Sequence, residues 1–156
     1  MSDISIVRKS DYWELNAELY LDHDIKTVFP FFADPLNLER ITPPLLRFKV
    51  LGMDTESILE GSLISYKLRL RGFPVKWLTR IEEWDPPHKF VDRQLKGPYR
   101  LWHHTHTFES VDGGTSMRDI VKYRVPGGSL VNRLLVENDV RKIFEFRREK
   151  IVELFP

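Results

Sequence analysis

Residues 97–108 read Gly-Pro-Tyr-Arg-Leu-Trp-His-His-Thr-His-Thr-Phe and place three of the chain's five histidines in one predicted strand. Side chains in a strand alternate between faces, so Trp102, His104, His106 and Phe108 share one side and Leu101, His103, Thr105 and Thr107 the other. Val111-Asp112-Gly113-Gly114-Thr115 is a tight-turn signal. A two-residue loop at Asp112-Gly113 or Gly113-Gly114 brings Met117, Asp119, Val121 and Tyr123 onto the His104/His106 face. Upstream, a three-residue loop at Gly97-Pro98-Tyr99 sets Phe90, Asp92 and Gln94 opposite His106, His104 and Trp102; a two-residue loop would instead pair Asp92 with His103. The three-residue version is preferred.

On that register a single sheet face gathers two imidazoles and two carboxylates among apolar neighbours. Such groups are costly in a dry interior unless they pair, and the expected couples are His104 with Asp92 and His106 with Asp119. Three chemistries fit the set. It can be a hydrogen-bonded network that orders a pocket wall or orients a ligand. It can be a catalytic acid/base group in which His104 or His106 moves protons and Asp92 or Asp119 orients them. It can hold a metal, since histidines at i and i+2 of a strand point the same way and carboxylates can complete the sphere. The expectation carried forward has no bound metal and no cofactor.

The elements that must position this face follow from periodicity. Tyr12 to Leu21 alternates as a half-buried strand. Ile25, Val28, Phe29 and Phe32 fall at helical spacing after Asp22 and Asp24, with Pro30 inside; Asp34-Pro35 starts a second short helix and Thr42-Pro43-Pro44 stops it. Leu46 to Met53 reads as a strand. Ser62 to Arg71 alternates clearly, and reversal about Gly72-Phe73 pairs Leu70 with Val75, Leu68 with Trp77, Tyr66 with Thr79 and Ile64 with Ile81. Lys89 to Lys96 leads into the histidine strand. After Pro126-Gly127-Gly128-Ser129 a long helix runs from about Leu130 to Phe155, with Val136, Val140, Ile143, Ile151 and Leu154 in one stripe interrupted by Arg147. Seven sequential antiparallel strands curved round a terminal helix leave room for a cavity between the two. The fold class is α+β, and residues 1–156 are expected to form one domain.

Composition narrows the function. The 24 basic and 23 acidic residues leave a net charge of +1, which provides no overall field for nucleic acid. With no cysteine, disulfides, thiolate metal sites and cysteine nucleophiles are excluded. No apolar run approaches the ~18 residues of a membrane span, and Met1 to Asp11 lacks a signal-type apolar segment, so a cytoplasmic protein without stable membrane insertion is expected. There is no Gly-x-Ser-x-Gly elbow, phosphate loop or dinucleotide fingerprint, which argues against hydrolase, kinase and dehydrogenase. The hairpin's outer stripe, Lys67, Arg69, Arg71, Lys76 and Arg80, reads as a solvated face before it reads as a surface for anionic lipid. Oligomeric state is not encoded in any pattern seen.

Phe31-Phe32-Ala33-Asp34-Pro35-Leu36-Asn37-Leu38 with Ile41-Thr42-Pro43, then Ile81 to Pro86, Phe90 to Gln94, Gly97-Pro98-Tyr99, and Trp102, His104, His106, Phe108, Asp119 and Tyr123 together resemble the START/polyketide-cyclase superfamily, also called SRPBCC or helix-grip proteins. The likeness spans nearly the whole chain and is strongest to bacterial cyclase/dehydrase-like members. It implies a seven-stranded sheet gripping the long C-terminal helix around a pocket for a hydrophobic or amphipathic small molecule, such as a lipid, quinone or polyketide. Some relatives transform the ligand and many only carry it. The residues expected to line the pocket are Tyr66, Leu68, Trp77, Thr79 and Ile81 of the hairpin, Gln94, Trp102, Phe108 and Tyr123 of the following strands, and Val140 and Ile143 of the helix. Tyr66, Trp77, Trp102 and Tyr123 could stack on a flat ligand or simply be core.

Overall fold

The computed structural model describes residues 4–156 of the chain; the first three positions of the expected domain lie outside the described residues. Strand β1 (Ile4–Arg8) pairs antiparallel with β2 (Trp13–Leu21), and β2 with the last strand of the sheet. The sheet therefore has eight strands where seven were expected. The extra one is a short edge strand whose only apolar alternation is Ile4, Ile6 and the exposed Val7, too little to register as a period.

Between β2 and the rest of the sheet the chain makes an apolar lid. Helix α1 (Ile25–Phe32) is capped by Asp24, whose carboxylate accepts from the Lys26 amide at 2.7 Å, and buries Ile25, Val28, Phe29 and Phe32. Pro35–Ile41 is a 3-10 helix capped by Asp34, with Pro35 at its first turn. A further 3-10 turn at Pro44–Leu46, closed by Arg47 at φ 46°, delays strand β3 to Lys49–Met53, so the strand is shorter than the periodicity implied.

From β3 the chain is a meander through β4 (Leu63–Leu70), β5 (Phe73–Asp85), β6 (Lys89–Lys96), β7 (Leu101–Val111) and β8 (Gly114–Arg124), giving the order β1-β2-β8-β7-β6-β5-β4-β3. The β4–β5 register differs from expectation by two residues: Leu70 faces Phe73, Leu68 faces Val75, Tyr66 faces Trp77 and Ile64 faces Thr79. The turn is Arg71-Gly72, both at positive φ (50° and 82°), the conformation that matches the twist of a two-residue hairpin. A shift of two preserves facing, so the inward set is unchanged. In β5 the pairing jumps between Ile81 and Glu83. That bulge at Glu82 turns Trp84, three residues from the inward Ile81, back to the inner side, where it packs on Phe29 and Phe90 with centroids 5.5 Å from each.

The C-terminal helix is not uniform. It begins with α2 (Gly128–Val131), widens to a π-helical turn at Asn132–Val136, and continues as α3 (Glu137–Leu154). The buried positions of α3 are Val140, Phe144, Arg147 and Ile151. Thus the arginine that interrupted the predicted stripe lies on the buried face. Three apolar clusters result: one around α1 and the lower ends of β7 and β8, one joining β1, β2 and β8 to α3, and one around Ile58, Ile64, Tyr66 and Ile81.

Candidate functional site

Strands β6, β7 and β8 carry the polar groups in the expected register: Asp92 opposite His104, Phe90 opposite His106, and His106 opposite Asp119. The side chains, however, bond diagonally. His104 Nε2 donates to Asp119 Oδ1 at 2.8 Å and His106 Nε2 to Asp92 Oδ2 at 2.6 Å. The directly opposite contacts are longer, 3.8 Å from His104 Nδ1 to Asp92 and 3.3 Å from His106 Nδ1 to Asp119. Imidazole is long enough to reach a diagonal neighbour, and the two rings stack on each other at 3.6 Å. Phe90 stacks on the other side of His106 at 3.9 Å, so that ring is held between two flat surfaces.

Helix α3 completes the cluster. Arg147 Nη2 lies 3.3 Å from Asp119 Oδ1, its guanidinium sits 5.4 Å from the Phe32 ring centre, and Phe144 meets His104 edge-on at 5.6 Å. Periodicity alone had placed Arg147 as a break in an apolar stripe; the signal available was a lone cation on a face that must cover two carboxylates.

Burial raises the Asp119 carboxyl, but the Arg147 charge, the His104 hydrogen bond and the nearby His106 ring outweigh it and hold it well below the ordinary range. Burial likewise opposes ionisation of Asp92, and the His106 hydrogen bond with the charges of His104, His106 and Arg147 brings it below its usual value. The histidines separate. His104 is pushed down by burial and by His106. His106, although burial opposes its charge, is pushed up by the close Asp119 carboxylate and by its hydrogen bond to Asp92. In the form these directions favour, with His106 the first of the two histidines to take a proton, the two carboxylates are balanced by Arg147 and His106.

A cavity of about 160 Å³ opens between the sheet, the 3-10 segment and α3. Of the predicted residues, Tyr66, Leu68, Trp77, Thr79, Ile81, Trp102 and Ile143 line it, together with Asp92, His104 and His106. Asp119 lies behind the histidines and faces a separate small recess with Met117, Phe144 and Arg147. Four predicted lining residues lie elsewhere. Gln94 is turned into the β6–β7 loop, donating to the Tyr99 carbonyl at 2.6 Å and accepting from the Tyr99 amide at 3.1 Å. Phe108 packs on Phe29 and Phe32 in the core, Tyr123 is buried with its hydroxyl 3.0 Å from Asn132 Oδ1, and Val140 is buried against β8. Phe108 and Tyr123 share the inward face of the sheet, but that face is filled by α1 at one end and by the C-terminal helix at the other.

The lining missed by strand periodicity includes residues of irregular backbone, Leu38, Ile41 and Thr42 at the 3-10 segment, Ile58 of the β3–β4 loop and Tyr99, and residues of the helices, Phe32, Phe144 and Arg147. Tyr99, Trp77 and Trp102 form a three-ring group, with centroids 4.8 to 5.6 Å apart.

Among solved structures of similar shape are protein Ms6760 from Mycobacterium smegmatis (18% identity, 97% of this chain and 96% of the other, TM-score 0.70) and a START superfamily protein from the same organism (8%, 90% and 98%, 0.68). Ginseng major latex-like protein 151 from Panax ginseng also matches (12%, 94% and 99%, 0.68). At these identities the likeness establishes the helix-grip fold. No curated protein matches the chain. A family profile described as polyketide cyclase / dehydrase and lipid transport matches residues 21–150, most of the chain, and with the fold this places the protein in the polyketide cyclase/dehydrase and lipid-transport family of the START-like superfamily.

Proposed function

We propose that residues 1–156 act as one cytoplasmic ligand-binding domain that holds and carries, or presents, a hydrophobic or amphipathic small molecule of lipid, quinone or polyketide type. The observation that carries this reading is the cavity: an apolar wall from Leu38, Ile58, Ile64, Leu68, Ile81 and Ile143, with a polar patch of Asp92, His104, His106 and Arg147 set into it. Such a lining suits a largely apolar molecule with a single polar end. Among the described residues no helix is long and apolar enough to cross a membrane.

Native mass spectrometry of protein purified from its own host tests the reading. A co-purifying lipid-, quinone- or polyketide-like mass, recovered unchanged on denaturation, supports it; a protein that neither retains nor takes up any such molecule overturns it. A second reading, a cyclase or dehydratase, is favoured by His104 and His106 lying stacked on the cavity wall with their pKa values pushed in opposite directions, the pattern of a base beside an acid. It expects His104→Ala and His106→Ala to abolish conversion of a bound polyketide-like substrate in protein that remains folded.

A further inference from the structure

We propose that Asp92, His104 and His106 form a binding site for a first-row divalent metal ion, with Asp119 as the shared carboxylate behind both histidines and Arg147 fixing that carboxylate. Each imidazole turns one nitrogen toward the same Asp119 oxygen: His104 Nε2 at 2.8 Å and His106 Nδ1 at 3.3 Å. That leaves His104 Nδ1 and His106 Nε2, and both are directed at Asp92 Oδ2, at 3.8 and 2.6 Å. Asp92, His104 and His106 each offer one potential ligand atom, and these atoms lie within 4.8 Å of one another. Metal–ligand bonds of about 2.0–2.2 Å require donors about 3–3.5 Å apart, a spacing that falls between the two distances seen. Reaching that spacing requires Asp92 to withdraw from His106 and the two stacked imidazoles to rotate out of their near-parallel arrangement.

The surroundings also supply groups that would orient metal ligands. A ligating histidine commonly gives its second N–H to a carboxylate, which sets the tautomer and strengthens the ligand; here Asp119 accepts from His104 Nε2 at 2.8 Å and lies 3.3 Å from His106 Nδ1, which makes no hydrogen bond to it. Asp119 is itself held by Arg147 and does not face the cavity, so it backs the site without filling a coordination position. His106 Nδ1 is buried without a hydrogen-bond partner, and rotation of the ring off Asp92 onto a cation can close that gap toward Asp119. Two imidazoles and one carboxylate suit Zn²⁺, Fe²⁺, Co²⁺ or Mn²⁺ rather than Ca²⁺. All three donors line the cavity, so the open coordination positions face the apolar chamber and would take an anionic or carbonyl oxygen there. Metal binding at this cluster does not depend on whether the cavity's organic ligand is carried or converted.

The test uses the full chain without a polyhistidine tag, stripped with chelator and titrated separately with Zn²⁺ and Co²⁺ while imidazole ¹⁵N resonances and visible absorption are followed. One equivalent of Zn²⁺ is expected to shift His104 Nδ1 and His106 Nε2 together, leaving His23, His88 and His103 unmoved. Co²⁺ is expected to develop d–d bands that His106→Gln abolishes, and Asp119→Asn should weaken binding about 10- to 100-fold. Unmoved His104 and His106 resonances in excess metal, or binding confined to the other histidines, overturn the proposal. The wild-type resonances decide between these outcomes, so the test holds even where a variant fails to fold.

Discussion

His104 and His106 are two residues apart and face the same carboxylates, yet burial and His106 outweigh them at His104 while they prevail at His106. In metal-free protein, ¹⁵N spectra recorded against pH should show His106 titrating above, and His104 below, the ordinary value near 6.5. The groups facing them are Asp92, Asp119 and Arg147, with no other charged side chain bonded in the cluster among the described residues. The signs for stability follow. A raised His106 stabilises the fold below its unfolded value and that contribution fades as pH rises through the folded one; depressed Asp92 and Asp119 stabilise above about pH 4 and that contribution is lost as pH falls through their folded values. Urea melts across pH should therefore decline on both sides, and a profile flat toward alkaline pH would contradict a charged His106. Arg147→Met leaves Asp119 with histidine partners alone. It should cost about 3 kcal/mol in the same melts and move His104 upward in the ¹⁵N titration.

The strands that hold these residues were legible because period-two alternation is a local signal and because Gly113 and the Gly97-Pro98-Tyr99 loop punctuate it at the right places. What escaped has local reasons too. β1 is too short to show a period, the Arg71-Gly72 turn displaced a register without changing its facing, and the bulge at Glu82 sets Trp84 inward against simple alternation. Arg147 and the 3-10 lining depend on how separate elements pack, which no window of sequence contains. Two glycines separate conformational from steric demand. Gly72 lies at φ 82° with nothing near its missing Cβ, so Gly72→Ala should cost about 1 kcal/mol, as backbone strain alone. A Cβ at Gly114 would meet the Leu21 carbonyl oxygen at 2.5 Å as well as the Tyr20 ring. Gly114→Ala should therefore cost more, about 2–3 kcal/mol, by displacing β2 from the hairpin end; equal denaturation midpoints for the two variants would refute this distinction.

The whole molecule is a sheet closed at its ends by packed cores and left open in between, where α3 spans the gap with Ile143 and Phe144 at the cavity. Ile143→Trp should fill the chamber and abolish uptake of a long-chain fatty acid or quinone probe by equilibrium binding, with the melting temperature little changed. Undiminished uptake would place the ligand elsewhere. The cavity wall also includes Trp77 and Trp102, with centroids 5.5 Å apart and planes at 88°. Two indoles so close and so nearly perpendicular couple their electronic transitions, and Trp102 lies 6.4 Å from the His104 ring. The chamber therefore contains its own optical reporter: occupancy that parts or covers the pair will alter near-ultraviolet circular dichroism and emission, so that unlabelled protein can be screened for ligands by light alone.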